Sequence, residues 1–269
     1  MSTDVCKDDC GGQTASWAAA NGYALSNNND TGEGVTFARD LDHNSANVQK
    51  NVKAYLHFLL NDMGYAGVRY DMVKGYAAKF TALYNADAKP TFSVGEYFDG
   101  NKQLLTNWIN GTKVNGVIQS AAFDFNTRYA VRDATNYSNW TKLDHDGLAT
   151  DPTYARYAVT FVENHDTDRF LGEGKDTLAL KQALALLLTI NRTPQLYYGT
   201  EVLMNGTKSV TDGNVRKDFP GGRADDKHNA FTAEGRTKAQ NDMLSWKSRL
   251  LHWRPGHEVI TKGTQTHYY

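Results

Sequence analysis

The stretch GVRYDMVKGY, Gly67 to Tyr76, decides the fold. Val68, Tyr70 and Met72 alternate with Arg69 and Asp71, the two-residue period of an extended strand. A helix runs up to it. Asn44 or Ser45 can cap that helix. Val48, Val52, Tyr55, Leu56, Leu59, Leu60 and Met63 mark its apolar face, and Gly64 supplies the stop. A short helix, about 77–85, comes next. The strand therefore lies between two helices and ends on a carboxylate.

The same alternation continues outward. TFSVGEYF (Thr91–Phe98) predicts a strand that reaches Glu96, and a helix spans about 102–110. GVIQSAAFDF (Gly116–Phe125) and a helix near 127–135 follow. RYAVTFVENHD (Arg156–Asp166) is the next strand, then a helix over 177–190, the strand PQLYYGTE (Pro194–Glu201) and a helix over 242–251. The last segment, HEVITKGTQTHYY (His257–Tyr269), has strand character. Strands alternating with helices predict an α/β fold with a parallel sheet and crossover helices. Five such strands are visible, whereas a closed (β/α)₈ barrel needs eight. Upstream, residues 1–42 are rich in Gly, Asn, Ser and Thr and read as an irregular, loop-built region.

Bulk properties narrow the function. The chain has 269 residues, 40% hydrophobic and 22% charged, which suits one large or two small globular domains. Its net charge of −1 offers no basic surface for nucleic acid or an anionic membrane, and no apolar run is long enough to span a bilayer. The acidic start, MSTDVCKDDC, is not a signal peptide. Cys6 and Cys10 could close a small disulfide loop or stand as two separate thiols, and they make a poor zinc site. No phosphate-cradling loop, His-Glu-x-x-His or serine nucleophile elbow is present.

Three predicted strands finish in an acid: Asp71, Glu96 and Asp166. Ligands of parallel α/β folds bind at the carboxyl ends of the strands. A single acid there is explained by capping the next helix; three acids with basic neighbours point to a site. Arg69 shares a strand face with Asp71 and would keep that carboxylate anionic, which suits a nucleophile, although a core salt bridge is the competing reading. Glu96, beside Tyr97 and Phe98, would hold its proton in apolar surroundings, which suits a general acid. His165 and Asp166 could bind sugar hydroxyls. One ionised and one protonated carboxyl is the pairing used in glycoside hydrolysis.

At these residues a family becomes recognisable. GVRYDMVKGY, GEYF (Gly95–Phe98) and FVENHD (Phe161–Asp166) resemble, in the family's order, three conserved blocks of the α-amylase family, glycoside hydrolase family 13. The resemblance implies a retaining hydrolase of α-1,4-glucans such as starch, on a TIM barrel. By matching position, Asp71 corresponds to the nucleophile, Glu96 to the acid/base and Asp166 to the third acid. Arg69, Lys74 and His165 correspond to substrate-binding and supporting residues. DLDH (Asp40–His43) and KGY (Lys74–Tyr76) are similar to plant-type α-amylases. There Asp30, Asp40 and the carbonyl of Gly75 match ligands of a structural calcium; a solvated acidic loop is the alternative. The resemblance also implies a secreted or periplasmic protein.

From Asp168 onward, PQLYYGTEVLMNGTK and GNVRKDFPGG look more like neopullulanases and cyclomaltodextrinases. The family's first conserved block has no counterpart here. The resemblance thus implies a partial barrel lacking its first three strands: 1–42 a remnant loop domain, 43–252 strands four to eight, 253–269 the start of a C-terminal β domain. Two open sheet edges predict a homodimer, aggregation or rearranged edges unless something covers them. Two alternatives stand beside hydrolysis: a glucan-binding fragment without chemistry, and a transferase of the same family.

Overall fold

The computed structural model describes residues 2–35, 37–137 and 140–265. It divides into two compact units, Met1–Phe123 and Asp124–Tyr269.

The first unit opens with short 3₁₀ turns and one helix, α1 (Gln13–Ala20), where sequence reading expected only loops. The alanine-rich run TASWAAA is enough to form it. Side chains tie this region to the next helix. Ser45 and Asn47 each donate to Asp4 at 2.7 Å, and Asn28 donates to the buried Asp42 at 2.8 Å. Cys6 and Cys10 are buried free thiols, so the disulfide alternative is not realised. Helix α2 (Ala46–His57) is capped by Ser45 as expected and passes into a π turn over Phe58–Asp62. Gly64 adopts φ +77°, which ends it.

Three strands follow, β1 (Gly67–Tyr70), β2 (Phe92–Gly95) and β5 (Ala121–Phe123), with α3 (Ala78–Ala88) and α4 (Lys102–Gly111) between them. A small antiparallel hairpin, β3 (Lys113–Val114) with β4 (Val117–Ile118), precedes β5. Gly67 pairs with Phe92 and Tyr70 with Gly95 in parallel, and Val94 pairs with Ala121 likewise. The expected strand over Gly116–Phe125 is thus two short strands, because a turn at Asn115 and Gly116, both with positive φ, folds its first half back.

The apolar face expected for the first helix is only half used. Val48 and Leu56 are buried, while Tyr55, Phe58 and Met63 are exposed. Leu56 packs with Phe80 and Tyr84 of α3, which covers one side of α2 alone.

The second unit contains α5 (Phe125–Tyr137), α6 (Lys142–Asp146), the parallel pair β6 (Ala158–Thr160) and β7 (Thr193–Pro194), α7 (Thr177–Thr189), α8 (Asp212–Val215), α9 (Lys238–Trp253) and α10 (Glu258–Lys262). Its core gathers Ala130, Val131, Leu180, Leu184, Leu187 and Met243 from α5, α7 and α9. Two expected strands differ. Within Pro194–Glu201 only Pro194 belongs to β7, with the Gln195 N–H still donating to the Thr160 carbonyl at 2.7 Å, after which Gly199 turns with φ +84° into a 3₁₀ turn. His257–Tyr269 forms the short helix α10 instead of a strand, held by i,i+4 contact between Glu258 and Lys262, and residues 266–269 lie outside the described residues. An isolated segment without a sheet partner has no ladder to satisfy its backbone, so a local helix wins.

Candidate active site

Strand β1 delivers its acid through a sharp turn. The Tyr70 carbonyl accepts the Glu96 N–H at 2.9 Å, and the chain then bends at Met72, whose φ of +46° lies in the left-handed region rarely adopted by a side chain of that size. The bend aims the Met72 N–H at Glu96 Oε2 (3.2 Å) and the Val73 N–H at the Glu96 carbonyl (3.2 Å). The end of β1 is thereby stitched to the residue that follows β2. Gly95 is required just before Glu96, because a Cβ there would stand 2.2 Å from the Trp108 ring.

Arg69 joins the two acids. Its Nη1 lies 2.7 Å from Asp71 Oδ1 and its Nη2 3.1 Å from Glu96 Oε1. Glu96 is 4% exposed, whereas the Asp71 side chain is 65% exposed. Burial raises the Glu96 pKa; the Met72 N–H and Arg69 pull it down, while the Asp71 charge and a hydrogen bond shared with Asp71 add to the rise. Glu96 is thereby pushed up to about 7. A buried carboxyl that keeps its proton near neutrality sits beside an open carboxylate, which is the equipment of a general acid and a nucleophile.

A cavity of about 290 Å³ opens at Glu96, lined also by Met72, Lys74, His43, Asp40 and Phe98. Lys74 is not free in it. Its Nζ sits 3.0 Å from both Glu33 Oε2 and Asp99 Oδ2, and 5.4 Å from the Tyr97 ring centroid. Burial opposes the charge on Lys74, but the hydrogen bonds it donates to Asp99 and Glu33 outweigh it and hold the pKa above the ordinary lysine value.

The residues expected around calcium also converge. A Cβ on Gly34 would lie 3.8 Å from Asp40 Oδ2 and 3.9 Å from Asp30 Oδ2, and one on Gly75 would lie 3.7 Å from Asp40 Oδ1. No donor reaches the buried Asp40 Oδ2; the Asp30 carboxylate faces it. Burial first, then the Asp30 charge, pushes Asp40 up to about 7. An orphaned buried oxygen among further carboxylates fits a hard cation.

In the second unit, His165 and Asp166 stand on the loop after β6. Asn164 Oδ1 accepts the Asp166 N–H (3.0 Å) and Thr167 Oγ1 accepts the Asn164 N–H (3.1 Å), which closes the turn. His165 Nε2 lies 2.8 Å from Asp166 Oδ2. Arg216 holds the other oxygen, Oδ1, and donates its Nε to the His165 carbonyl at 2.9 Å. Sequence reading missed Arg216 as the partner of Asp166, since fifty residues separate them; the family-like stretch GNVRKDFPGG that contains it was the available signal. It also missed Glu33 and Asp99, the partners of Lys74; Asp99 stands three residues after Glu96, and that nearness was the available signal.

Solved α-amylases from H. orenii and from Geobacillus thermoleovorans, the latter complexed with acarbose, superpose with TM-scores of 0.64 and 0.66 at 21% and 19% identity. They cover 86% and 85% of this chain and are themselves covered to 51% and 49%. The fold is therefore TIM-barrel-like. A family profile described as alpha amylase, catalytic domain, matches residues 33–250, and the chain belongs to that family. A cyclomaltodextrin glucanotransferase of Bacillus sp. (strain 17-1) is 34% identical over 172 residues, 62% of this chain and 24% of that protein. A probable alpha-amylase 2 of Arabidopsis thaliana is 33% identical over 156 residues, 52% of this chain and 37% of that protein. The chain thus spans about a quarter to a third of these relatives.

Proposed function

We propose that the chain carries the catalytic acids of a retaining glycosidase for α-1,4-glucans. The observation that carries this reading is the single guanidinium of Arg69 shared by an exposed Asp71 and a buried, proton-holding Glu96. Asp71 attacks the anomeric carbon while Glu96 gives its proton to the leaving oxygen. Glu96, now a carboxylate, takes a proton from water, and that water releases the sugar from Asp71. Retaining glycosidases hold the two carboxyls close, about 5–5.5 Å apart, and carboxyls bridged by one guanidinium fit the close arrangement. Asp166 is the third acid, with His165 as its partner at the sugar hydroxyls. On this reading β1, β2, β5, β6 and β7 correspond to strands four to eight of the family's barrel. Asp30, Asp40 and the Gly75 carbonyl hold a structural calcium that neutralises the Asp30–Asp40 pair and takes no part in the chemistry.

The test is release of reducing sugar from soluble starch by the chain and by Asp71→Asn, each with calcium and with chelator. Asp71→Asn is expected to lose about 10⁴-fold or more, as removal of a nucleophile does. Undiminished turnover in that variant would sink the assignment. Chelator is expected to lower the melting temperature of both proteins alike, and an unchanged melting temperature would remove the calcium. A second reading, transfer of the glycosyl group to another sugar rather than to water, is favoured by the relatives named cyclomaltodextrin glucanotransferase. Chromatography of the products distinguishes it by cyclic or elongated glucans.

A further inference from the structure

We propose that Arg216 is a positioning residue that sets the orientation of the Asp166 carboxylate, and that the buried Glu163–Arg169 pair anchors it. This rests on the reading of Asp166 as the third acid.

Asp166 is held from both sides. His165 Nε2 takes Oδ2 at 2.8 Å, Arg216 Nη2 takes Oδ1, and Arg216 Nε grips the His165 carbonyl at 2.9 Å. One guanidinium therefore fixes both the acid and the backbone of the residue before it. A planar fork with two separate acceptors sets direction as well as charge, which a lysine cannot reproduce. The pair is partly exposed, with side-chain exposures of 42% and 23%. Ion pairs of that kind add little stability. Its value is orientation.

Orientation requires that Arg216 itself be held. Val215, fully buried, precedes it, and its carbonyl accepts Arg169 Nε at 3.0 Å. Arg169 is 1% exposed; it also donates to the Tyr198 carbonyl, lies 3.4 Å from Glu163 Oε1 and stacks 4.0 Å from the Tyr197 ring centroid. Glu163 in turn accepts the Phe170 N–H at 2.6 Å and the Thr200 hydroxyl. Glu163 belongs to the same strand end that carries Asp166, three residues earlier. The buried pair thus ties the acid's own loop to the backbone that presents its clamp. A buried pair is costly to desolvate; here Nε and Nη1 of Arg169 are bonded to backbone carbonyls while Nη2 has no partner, and the bonds that are made tie fixed points of the backbone together, which suits a registering role.

The experiment measures kcat and KM on soluble starch for the chain, Arg216→Ala, Arg216→Lys, Asp166→Asn and the double variant, with and without low, non-denaturing guanidinium. Arg216→Ala is expected to lose about 10–100-fold in kcat, the range seen when an outer partner of a site residue is removed, with KM nearly unchanged. Added guanidinium should recover part of the loss, Arg216→Lys should recover little, and the double variant should be no worse than Asp166→Asn. A purely structural role would show no guanidinium rescue. An Arg216→Ala enzyme within twofold of the parent, a loss confined to KM, or additivity with Asp166→Asn would overturn the proposal. If the parent chain shows no turnover, the glycosidase reading fails, and the proposal is judged from a crystal structure of Arg216→Ala. There a turned or disordered Asp166 carboxylate supports it and an unmoved one overturns it.

Discussion

In the first unit one guanidinium, Arg69, serves two carboxylates; in the second, Arg216 and His165 both serve one. In the first, the inner of the two carboxyls keeps a proton chiefly because it is buried; Arg69 opposes this, and the charge of the neighbouring carboxylate adds to it. That carboxyl is Glu96, raised to about 7. Asp166 has both its oxygens occupied, one by His165 and one by Arg216, which fixes the direction of its carboxylate. The same residue types thus stand in two settings, a buried carboxyl beside an exposed one and a carboxylate gripped at both oxygens.

Removing Arg69 is the severest way to break this contrast. Arg69→Ala leaves Asp71 and Glu96 facing each other without compensation. Loss of a preorganised charge at a reacting centre typically costs about 10²–10³-fold in kcat. The residual activity carries a second signal. Arg69 lowers the Glu96 pKa, so its loss must raise it further. In the parent chain kcat/KM is expected to fall as pH rises past about 7, because Glu96 then loses the proton it must donate. In Arg69→Ala that falling limb should move to higher pH. A limb that stays in place or moves down would show that Arg69 does not control Glu96.

How far the sequence foretold this contrast depends on distance along the chain. Arg69 and Asp71 were legible because the two-residue period of a strand puts them on one face, and the 2.7 Å contact follows from that period. The proton on Glu96 was also legible, from the apolar run it ends, though its cause includes the Asp71 charge as well as burial. The positive φ at Met72, which lets the two strand ends meet, was not legible: nothing in Asp-Met-Val calls for a left-handed residue. Lys74 is a substrate-binding residue by resemblance, and the pairing of its ammonium with Glu33, forty-one residues upstream, was not legible. The pairing of Arg216 with Asp166 was hidden for the same reason: GNVRKDFPGG was legible as a family-like stretch, but a contact made across fifty residues leaves no local period. The strand at Pro194–Glu201 was over-read, because tyrosines favour strands but Gly199 with positive φ ends pairing early.

The Glu96 proton also ties pH to stability, and this sharpens the contrast without needing turnover. The folded pKa is about 7 against an ordinary value of 4.5. Between these values the folded chain binds the proton more tightly than the unfolded chain does. The stability this supplies is fully present below pH 4.5 and is lost as pH rises through about 7. Glu96→Gln cannot titrate. Its melting temperature relative to the parent should therefore climb between pH 4.5 and about 7 and level off above. Parallel melting curves across that window would mean that Glu96 titrates normally and that its burial does not hold the proton on it.

The smallest effect concerns how each acid is supported from beneath. Asp166 rests on a buried polar network through Glu163 and Arg169, whereas Glu96 rests on packing, with Gly95 pressed against Trp108. A methyl at Gly95 would stand 2.2 Å from the indole, closer than any real contact, so the ring or the strand must shift. Overpacking of this kind costs about 1–3 kcal/mol. Gly95→Ala is accordingly expected to unfold at lower denaturant with an unchanged slope. Its turnover should fall less than that of Arg69→Ala, because the guanidinium bridge remains. The informative outcome is the ordering of the two losses. If Gly95→Ala loses as much turnover as Arg69→Ala while keeping its stability, then Trp108 rather than Arg69 holds Glu96 in place, and the first unit too would depend on support more than on charge.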